Sequence, residues 1–136
     1  MYYIENVETG KKALLINNAP ALLPLAGLLA GTGFAVDVAN DPGTGLRRLE
    51  AGAYDIAVVM ENDGLESWEF CRKIRELTAV PLIVVNARAS PDACARAINA
   101  GADYCLRKPF GPGEFIARVN SLLQRASTRQ ALTIGA

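Results

Sequence analysis

The feature that most constrains the fold is the alternation of short apolar runs with longer segments of helical spacing. The runs predict five strands, at Lys12–Asn17, Phe34–Val38, Ile56–Val59, Pro81–Asn86 and Tyr104–Arg107. They are apolar almost throughout, as expected for parallel strands that are covered on both faces. A chain of 136 residues is long enough to bury the core of one such domain.

The segments that follow these runs predict five helices. The first begins near Ala21, because Pro24 would interrupt a helix that began at Pro20, and it ends at Gly31 or Gly33, which suit a C-cap. The others are Pro42–Ala51, Trp68–Leu77 with Ser67 as N-cap, the segment from Pro91 to Gly101, and Pro112–Arg125. With right-handed crossovers, the alternation predicts an α/β fold: a doubly wound, flavodoxin-like five-stranded parallel sheet with five helices in a three-layer sandwich.

Composition excludes several classes of function. Fourteen basic and fourteen acidic residues give a net charge of zero, so the domain carries no excess charge for binding nucleic acid or an anionic membrane. The chain has no histidine, and its three cysteines, at 71, 94 and 105, have no CxxC spacing, which argues against a zinc site. No segment predicts a signal peptide or a membrane span, and we expect a cytoplasmic protein with reduced cysteines.

Functional residues of a doubly wound sheet collect at the carboxyl ends of its strands. Here those ends carry Asn17 and Asn18, Met60 and Glu61, Asn86, and Lys108. The strand pattern therefore brings amides, a thioether and one lysine to the same edge of the sheet. The carboxylate nearest to Met60 in the sequence is Glu61.

The closing segment, AGADYCLRKPFGPGEFIARVNSLLQR, carries the most specific resemblance in the chain. Together with YDIAVV, PLIVVNA and FCRKIRE, it resembles the bacterial response-regulator receiver domain over roughly residues 11–125. The resemblance implies that Pro109 follows a cis bond. It also implies that Met60 stands where the family has its phosphoacceptor aspartate.

The rest of the implied phosphorylation site departs from the family pattern. Asn17 and Asn18 replace the acidic pair that holds a divalent cation, and Asn86 replaces the Ser or Thr at the end of the fourth strand, while Lys108 is retained. Magnesium prefers carboxylate oxygens, and a thioether neither binds it well nor forms a stable phosphoryl adduct. Glu61 should face the opposite side of the sheet from Met60, and Asp63-Gly64 predicts a turn. We therefore expect no phosphorylation, no metal and no cofactor.

Two interpretations remain open for the vacated site. Met60 fills the space as an adaptable apolar plug while the asparagines make local backbone bonds, or the pocket of Asn17, Asn18, Met60 and Asn86 binds a small molecule. Lys108 is then a structural residue that bonds Asn17, Asn86 or a backbone carbonyl.

The resemblance also implies a signalling face. In the family, a hydroxyl on the fourth strand and an aromatic residue on the fifth strand relay phosphorylation; these positions are Asn86 and Cys105 here. Members with a winged-helix effector dimerise through the fourth helix, fifth strand and fifth helix. The matching residues predict a homodimer with fewer ionic contacts than the family has. The alternative is that this face stays solvated. The residues are Ala95, Ile98, Asp103, Tyr104, Glu114, Ala117 and Arg118.

The ends of the chain predict its domain organisation. Residues 1–11 read as an N-terminal extension, 12–125 as the receiver domain, and 126–136 as a linker. Leu132–Gly135 resembles the opening strand of the effector in OmpR/PhoB-type regulators, so DNA binding would come only from a C-terminal domain outside this chain. We expect a regulatory and dimerisation module of a transcription regulator and no enzyme, because the chain has no Ser/His/Asp set, dinucleotide fingerprint or placed carboxylate pair.

Overall fold

The computed structural model describes residues 10–17, 19–61, 67–86 and 91–135, with the side chains of 19, 67 and 127–135 left undescribed. These residues form five strands and five helices in strict alternation. In chain order they are β1 Lys12–Ile16, α1 Ala19–Gly31, β2 Ala35–Ala39, α2 Pro42–Ala51, β3 Ile56–Glu61, α3 Ser67–Leu77, β4 Leu82–Asn86, α4 Pro91–Ala100, β5 Tyr104–Arg107 and α5 Pro112–Gly135.

The sheet has the order β2-β1-β3-β4-β5, and every neighbouring pair of strands is parallel. Because the chain reverses its direction of winding after β2, helices lie on both faces of the sheet. The predicted doubly wound, five-stranded α/β fold is confirmed.

Alternate residues of each strand separate the core into two layers, as the period of two in a strand requires. Leu15, Val58 and Val85 face α1 and α5, where they pack with Leu22, Phe115 and other apolar side chains. Leu14, Val59 and Val84 face the opposite layer, which contains Phe70, Ile74 and Ala97 of α3 and α4. Both alternating sets of strand side chains are apolar because both faces of the sheet are buried.

The first helix differs from the prediction, because it begins at Ala19 and contains Pro24. Pro24 lacks an N–H, so one backbone hydrogen bond, to the carbonyl of Pro20, is lost within the first two turns of the helix. None of the 13 residues of α1 carries a charge. Leu22, Leu25 and Leu29 are buried, whereas Leu23 is 62% exposed.

Strand boundaries moved by one or two residues from the prediction. β1 stops at Ile16 because Asn17 adopts a positive φ of 78°, which a strand does not accommodate. β3 continues through Met60 to Glu61, because its pairing with β4 runs to the Glu61–Asn86 pair.

The last helix is longer than predicted. α5 continues from Pro112 through Gly135, across the segment interpreted as a linker and an opening strand. Between Arg125 and Leu132 the sequence contains no glycine or proline that would end a helix. The division into domains at residue 125 stays a prediction, as does the extension at residues 1–11. No helix in the described part of the chain is both long and apolar enough to cross a membrane.

Candidate functional site

Asn17 connects the ends of three strands at the carboxyl edge of the sheet. Its backbone N–H donates to the carbonyl of Ala39 at 2.8 Å, and its side-chain Nδ2 donates to the carbonyl of Met60 at 2.8 Å. Asparagine adopts positive φ more readily than most residues, which suits it to φ 78°. Asn17 thus bonds to backbone groups, but to those of β2 and β3 rather than to those of its own turn, whereas Asn18 lies outside the described residues.

The side chain of Met60 is buried in the layer between the sheet and helices α1 and α5. It is 1% exposed and belongs to the same apolar cluster as Leu106 and Phe115. A flexible thioether side chain suits irregular apolar gaps. The space at the end of β3 is thus filled by the residue that the resemblance places at the phosphoacceptor position.

Glu61 follows Met60 and turns to the other face of the sheet. Its charge contributes to raising the pKa of Cys71, a residue of the opposite core layer, although burial is the main cause of that rise to about 12. The expected alternation between Met60 and Glu61 is confirmed. Asp63 lies outside the described residues.

Asn86 is the one buried polar residue at the described strand ends, with 1% of its surface exposed. Its backbone carbonyl accepts a hydrogen bond from the N–H of Lys108 at 3.2 Å. Its side-chain Nδ2 lies 3.9 Å from Sγ of Cys94, within range of a weak hydrogen bond to sulfur. Asn86 therefore connects the edge of the sheet to α4.

Lys108 precedes Pro109, and the bond between them is cis, as the resemblance implies. The side chain is exposed, and within the described residues its ammonium makes no hydrogen bond or ion pair, so the predicted bond to Asn17 or Asn86 is not formed. It lines a groove of about 430 Å³ with apolar side chains of α1 and the β5–α5 loop, among them Ala21, Leu25, Leu28, Pro109 and Phe110. Among the described residues, no cluster of three acidic, cysteine or histidine side chains could hold a metal ion.

The predicted dimer face is largely exposed and mixed in character. Ile98 is 47% exposed. Ala95, Asp103, Glu114, Ala117 and Arg118 are also exposed, and Tyr104 is half-buried. Five of these residues lie on α4 and α5, Tyr104 lies on β5, and Asp103 directly precedes that strand.

Two ionic residues of this face already have partners within the chain. Asp103 Oδ2 accepts hydrogen bonds from Arg75 and from the N–H of Leu82, each at 2.8 Å. The guanidinium of Arg118 lies 4.3 Å from the centre of the Tyr104 ring, in a cation–π contact. Both side chains thus have intrachain interactions that a partner would have to share or replace.

Sequence reasoning missed the most specific feature of this face. Cys94 of α4 and Cys105 of β5 form a disulfide, with their Cα atoms 5.5 Å apart. The expectation of reduced cysteines is therefore wrong for this pair. The sequence signal is limited to the separation of 11 residues between cysteines on consecutive elements, which does not show that the two side chains face each other.

The sheet order and the strand-end site define a doubly wound α/β domain of the flavodoxin-like class. Within that class, the family model described as the response regulator receiver domain matches residues 14–120. The match covers most of the chain, which therefore belongs to that family.

Similar curated proteins include full-length bacterial regulators. The chain is 36% identical over 94 residues to the transcriptional regulatory protein CseB of Streptomyces avermitilis, covering 68% of this chain and 40% of that protein. It is 32% identical over 105 residues to the sensory transduction protein RegX3 of Mycolicibacterium smegmatis, covering 76% of this chain and 46% of that protein. The chain thus spans less than half the length of these relatives.

Solved structures show the same fold. A CheY-like response regulator receiver domain protein from Methanospirillum hungatei has a TM-score of 0.79 at 24% identity, over 88% of this chain and 98% of that one. HP1043, an orphan response regulator of H. pylori, has a TM-score of 0.75 at 22% identity, over 86% of this chain and 99% of that one.

Proposed function

We propose that this receiver domain works without phosphorylation, as a regulatory and dimerisation module of a two-component-type transcription regulator. The single observation that carries the proposal is the burial of Met60 at the end of β3. Transcription regulation is supported by the curated relatives, one of which is named a transcriptional regulatory protein. DNA binding would reside in a C-terminal effector domain of the OmpR/PhoB type.

The chemistry of the strand ends supports independence from phosphorylation. Phosphoryl transfer needs a nucleophilic oxygen and positive charge from a metal ion and a lysine to neutralise the phosphoryl group. Met60 supplies sulfur with no negative charge, and the side-chain amide of Asn17 donates its hydrogen bond to a backbone carbonyl. Lys108 alone does not supply the missing nucleophile and metal ligands.

The exposed face of α4, β5 and α5 supports dimerisation. Ala95, Ile98 and Ala117 give it an apolar centre, and Glu114 adds an exposed acid. Because Asp103 is bonded to Arg75, ionic contacts contribute less than apolar ones to this proposed homodimer. No phosphoryl group is then required to rearrange the face.

The first experiment tests phosphorylation directly. The protein is incubated with a small phosphodonor and magnesium, and its intact mass is measured beside that of a phosphorylatable receiver domain. We expect the control domain to gain one phosphate and this chain to keep its mass. A stable phosphate adduct on this chain would overturn the proposal.

The second experiment tests the proposed dimer face by sedimentation at micromolar concentration. Ile98→Asp places a charge in the apolar centre and should shift the protein to monomer. Leu23→Asp is the matched control, because Leu23 is an exposed leucine on α1, which is not one of the three elements of this face. A wild-type protein that sediments only as monomer contradicts the dimer.

A small-molecule-binding domain is the second candidate, and the groove beside Lys108 is the observation that favours it. Met60 and Asn86 are each 1% exposed, so in this candidate the ligand occupies the groove rather than the space between them. A thermal-shift screen with a metabolite panel separates the candidates. A ligand whose stabilising effect is lost in Leu28→Trp, which would obstruct the groove, supports sensing over the proposed dimerisation role.

A further inference from the structure

The disulfide between Cys94 and Cys105 lies within the proposed dimer face. Cys94 is on α4, beside exposed Ala95, and Cys105 follows Tyr104 on β5. Both cysteine residues are half-buried, so neither is fully enclosed by the described part of the chain. The disulfide joins two of the three elements that make up the face.

α4 buries little apolar surface of its own, and the disulfide adds to its packing on α3. Ala97 is its one buried residue, and a methyl side chain contributes little apolar area. By contrast, α5 buries Phe115, Val119 and Leu122 against the sheet. The disulfide therefore adds a covalent restraint on α4, and on its exposed Ile98, to the packing of α4 on α3.

The bond also contacts the edge of the sheet through Asn86. Asn86 Nδ2 lies 3.9 Å from Sγ of Cys94, and the carbonyl of Asn86 is bonded to the N–H of Lys108. The resemblance placed Asn86 and Cys105 at the two relay positions of the family. A change in the state of Cys94 would thus alter contacts at both the edge of the sheet and the dimer face.

We propose that Cys94 and Cys105 form a redox modification site that opens and closes by thiol–disulfide exchange with small-molecule thiols and disulfides. On opening, two small-molecule thiols reduce the protein disulfide, and the products are two protein thiols and one small-molecule disulfide. On closing, the same reaction runs in reverse, with oxidised glutathione as a representative oxidant. Any effect of this exchange on dimerisation through the face of α4, β5 and α5 rests on the proposed function, whereas the exchange itself does not.

The remaining described cysteine provides an internal control. Cys71 is fully buried in the α2–α3–α4 layer, and burial raises the pKa of its thiol to about 12. A thiolate is the reactive form in exchange, so Cys71 should stay unmodified in the folded protein. The chain thus contains one inert thiol and one exchangeable pair.

Alkylation of the folded protein followed by mass spectrometry tests the exchange. After treatment with dithiothreitol, we expect two labels, located on the peptides that contain Cys94 and Cys105; after oxidised glutathione, we expect none. Cys71 should be labelled only in denaturant. Labelling of Cys94 and Cys105 that is equal in both conditions, or a disulfide-linked dimer on a non-reducing gel, would overturn the proposal.

Hydrogen exchange of the oxidised and reduced protein tests the restraint on α4. We expect amides of α4 to exchange roughly tenfold faster after reduction, while those of β1 and β3 keep their rates. Cys94→Ala/Cys105→Ala should exchange like the reduced protein in both conditions, and Cys71→Ala should respond like the wild type. Equal protection of α4 in the two states contradicts the proposed restraint.

Sedimentation in the two redox states separates this inference from the proposed function. A dimer fraction that changes with reduction supports both. A monomer in both states, together with redox-dependent protection of α4, contradicts the dimerisation module but supports the exchange site. A dimer with unchanged labelling and unchanged α4 protection contradicts the exchange site alone.

Discussion

At the scale of single residues, the end of β3 shows how one side chain changes the chemistry of an edge. Met60 is enclosed by apolar groups of the layer that faces α1 and α5. An ionised carboxylate placed there loses its hydration without gaining an opposite charge. These apolar surroundings suit a thioether and oppose an ionised side chain at the same position.

Met60→Asp should therefore destabilise the fold rather than restore phosphorylation. We expect a loss of at least about 3 kcal/mol in the free energy of unfolding, because the variant buries a charge without a partner. Met60→Leu, a substitution of similar volume, should cost less than about 1.5 kcal/mol. Urea denaturation at pH 7 measures both, and equal stabilities for the two variants would contradict the apolar surroundings described for Met60.

At the scale of elements, α2 depends on one close approach and one cap. Gly45 lies against Ile16 of β1, and a Cβ at this position would be only 2.7 Å from Ile16 Cγ2. Asp41 precedes the helix and caps it, with its Oδ1 accepting the N–H of Thr44 at 2.9 Å. Packing therefore fixes the distance between α2 and the sheet, and the cap fixes where the helix begins.

Gly45→Ala tests the close approach. Alanine raises helix propensity, yet we expect a net loss of about 1 to 3 kcal/mol, because α2 must move away from Ile16. Gly43→Ala, on the same helix, is the control: its Cβ would meet atoms no closer than 3.4 Å, and it should stabilise the protein by up to about 1 kcal/mol. Thermal or urea unfolding distinguishes the pair, and a stabilised Gly45→Ala would argue against the contact.

Asp41 predicts a pH dependence. Its pKa is lowered from the usual aspartate value, first by the hydrogen bond from the backbone N–H of Thr44 and then by the one from its hydroxyl. The folded pKa is below the unfolded one, so the ionised cap stabilises the protein above the unfolded pKa, and this contribution is lost as pH falls through the folded pKa.

Asp41→Asn should retain a cap and remove this acid-dependent contribution. The stability difference between wild type and variant should therefore shrink as pH falls from about 5 to 2. Chemical denaturation at several pH values measures it. A difference that stays constant over that interval would exclude a titrating cap.

At the scale of the whole molecule, Arg75 joins elements that are distant in the chain. From the end of α3 its guanidinium donates to the carbonyl of Gly101 after α4, to the carbonyl of Val80 before β4, and to Asp103 before β5. The ion pair with Asp103 measures 2.8 Å, and both side chains are less than one-third exposed. The planar fork of the guanidinium suits this set of acceptors.

Arg75→Lys should destabilise the domain although the charge is kept. An ammonium group cannot reach all of these acceptors at once, and we expect a loss of about 2 kcal/mol. Arg72→Lys is the control, because Arg72 lies on the same helix. Among the described interactions, its guanidinium contacts only the half-buried ring of Trp68. Equal effects of the two substitutions on urea unfolding would contradict the joining role of Arg75.

How far the sequence predicts this molecule depends on whether the relevant signal is local. Apolar runs such as Leu82–Asn86 predict strands because burial on both faces leaves a continuous pattern. The end of β3 at Glu61 was missed because it depends on pairing with Asn86 in another strand. The bond between Cys94 and Cys105 was missed for the same reason, because it requires knowing which face of α4 lies on β5.

The absence of charge along α1 has a consequence for any partner that docks on that side. A partner that binds Leu23 and its neighbours would gain binding free energy from the removal of apolar surface from water. The helix would contribute no ion pair to that complex. Added sulfate or phosphate salts strengthen apolar burial, whereas they screen charge pairs between exposed groups. The affinity of complexes formed on this side should therefore stay the same or increase at ionic strengths that dissociate complexes held together by charge pairs.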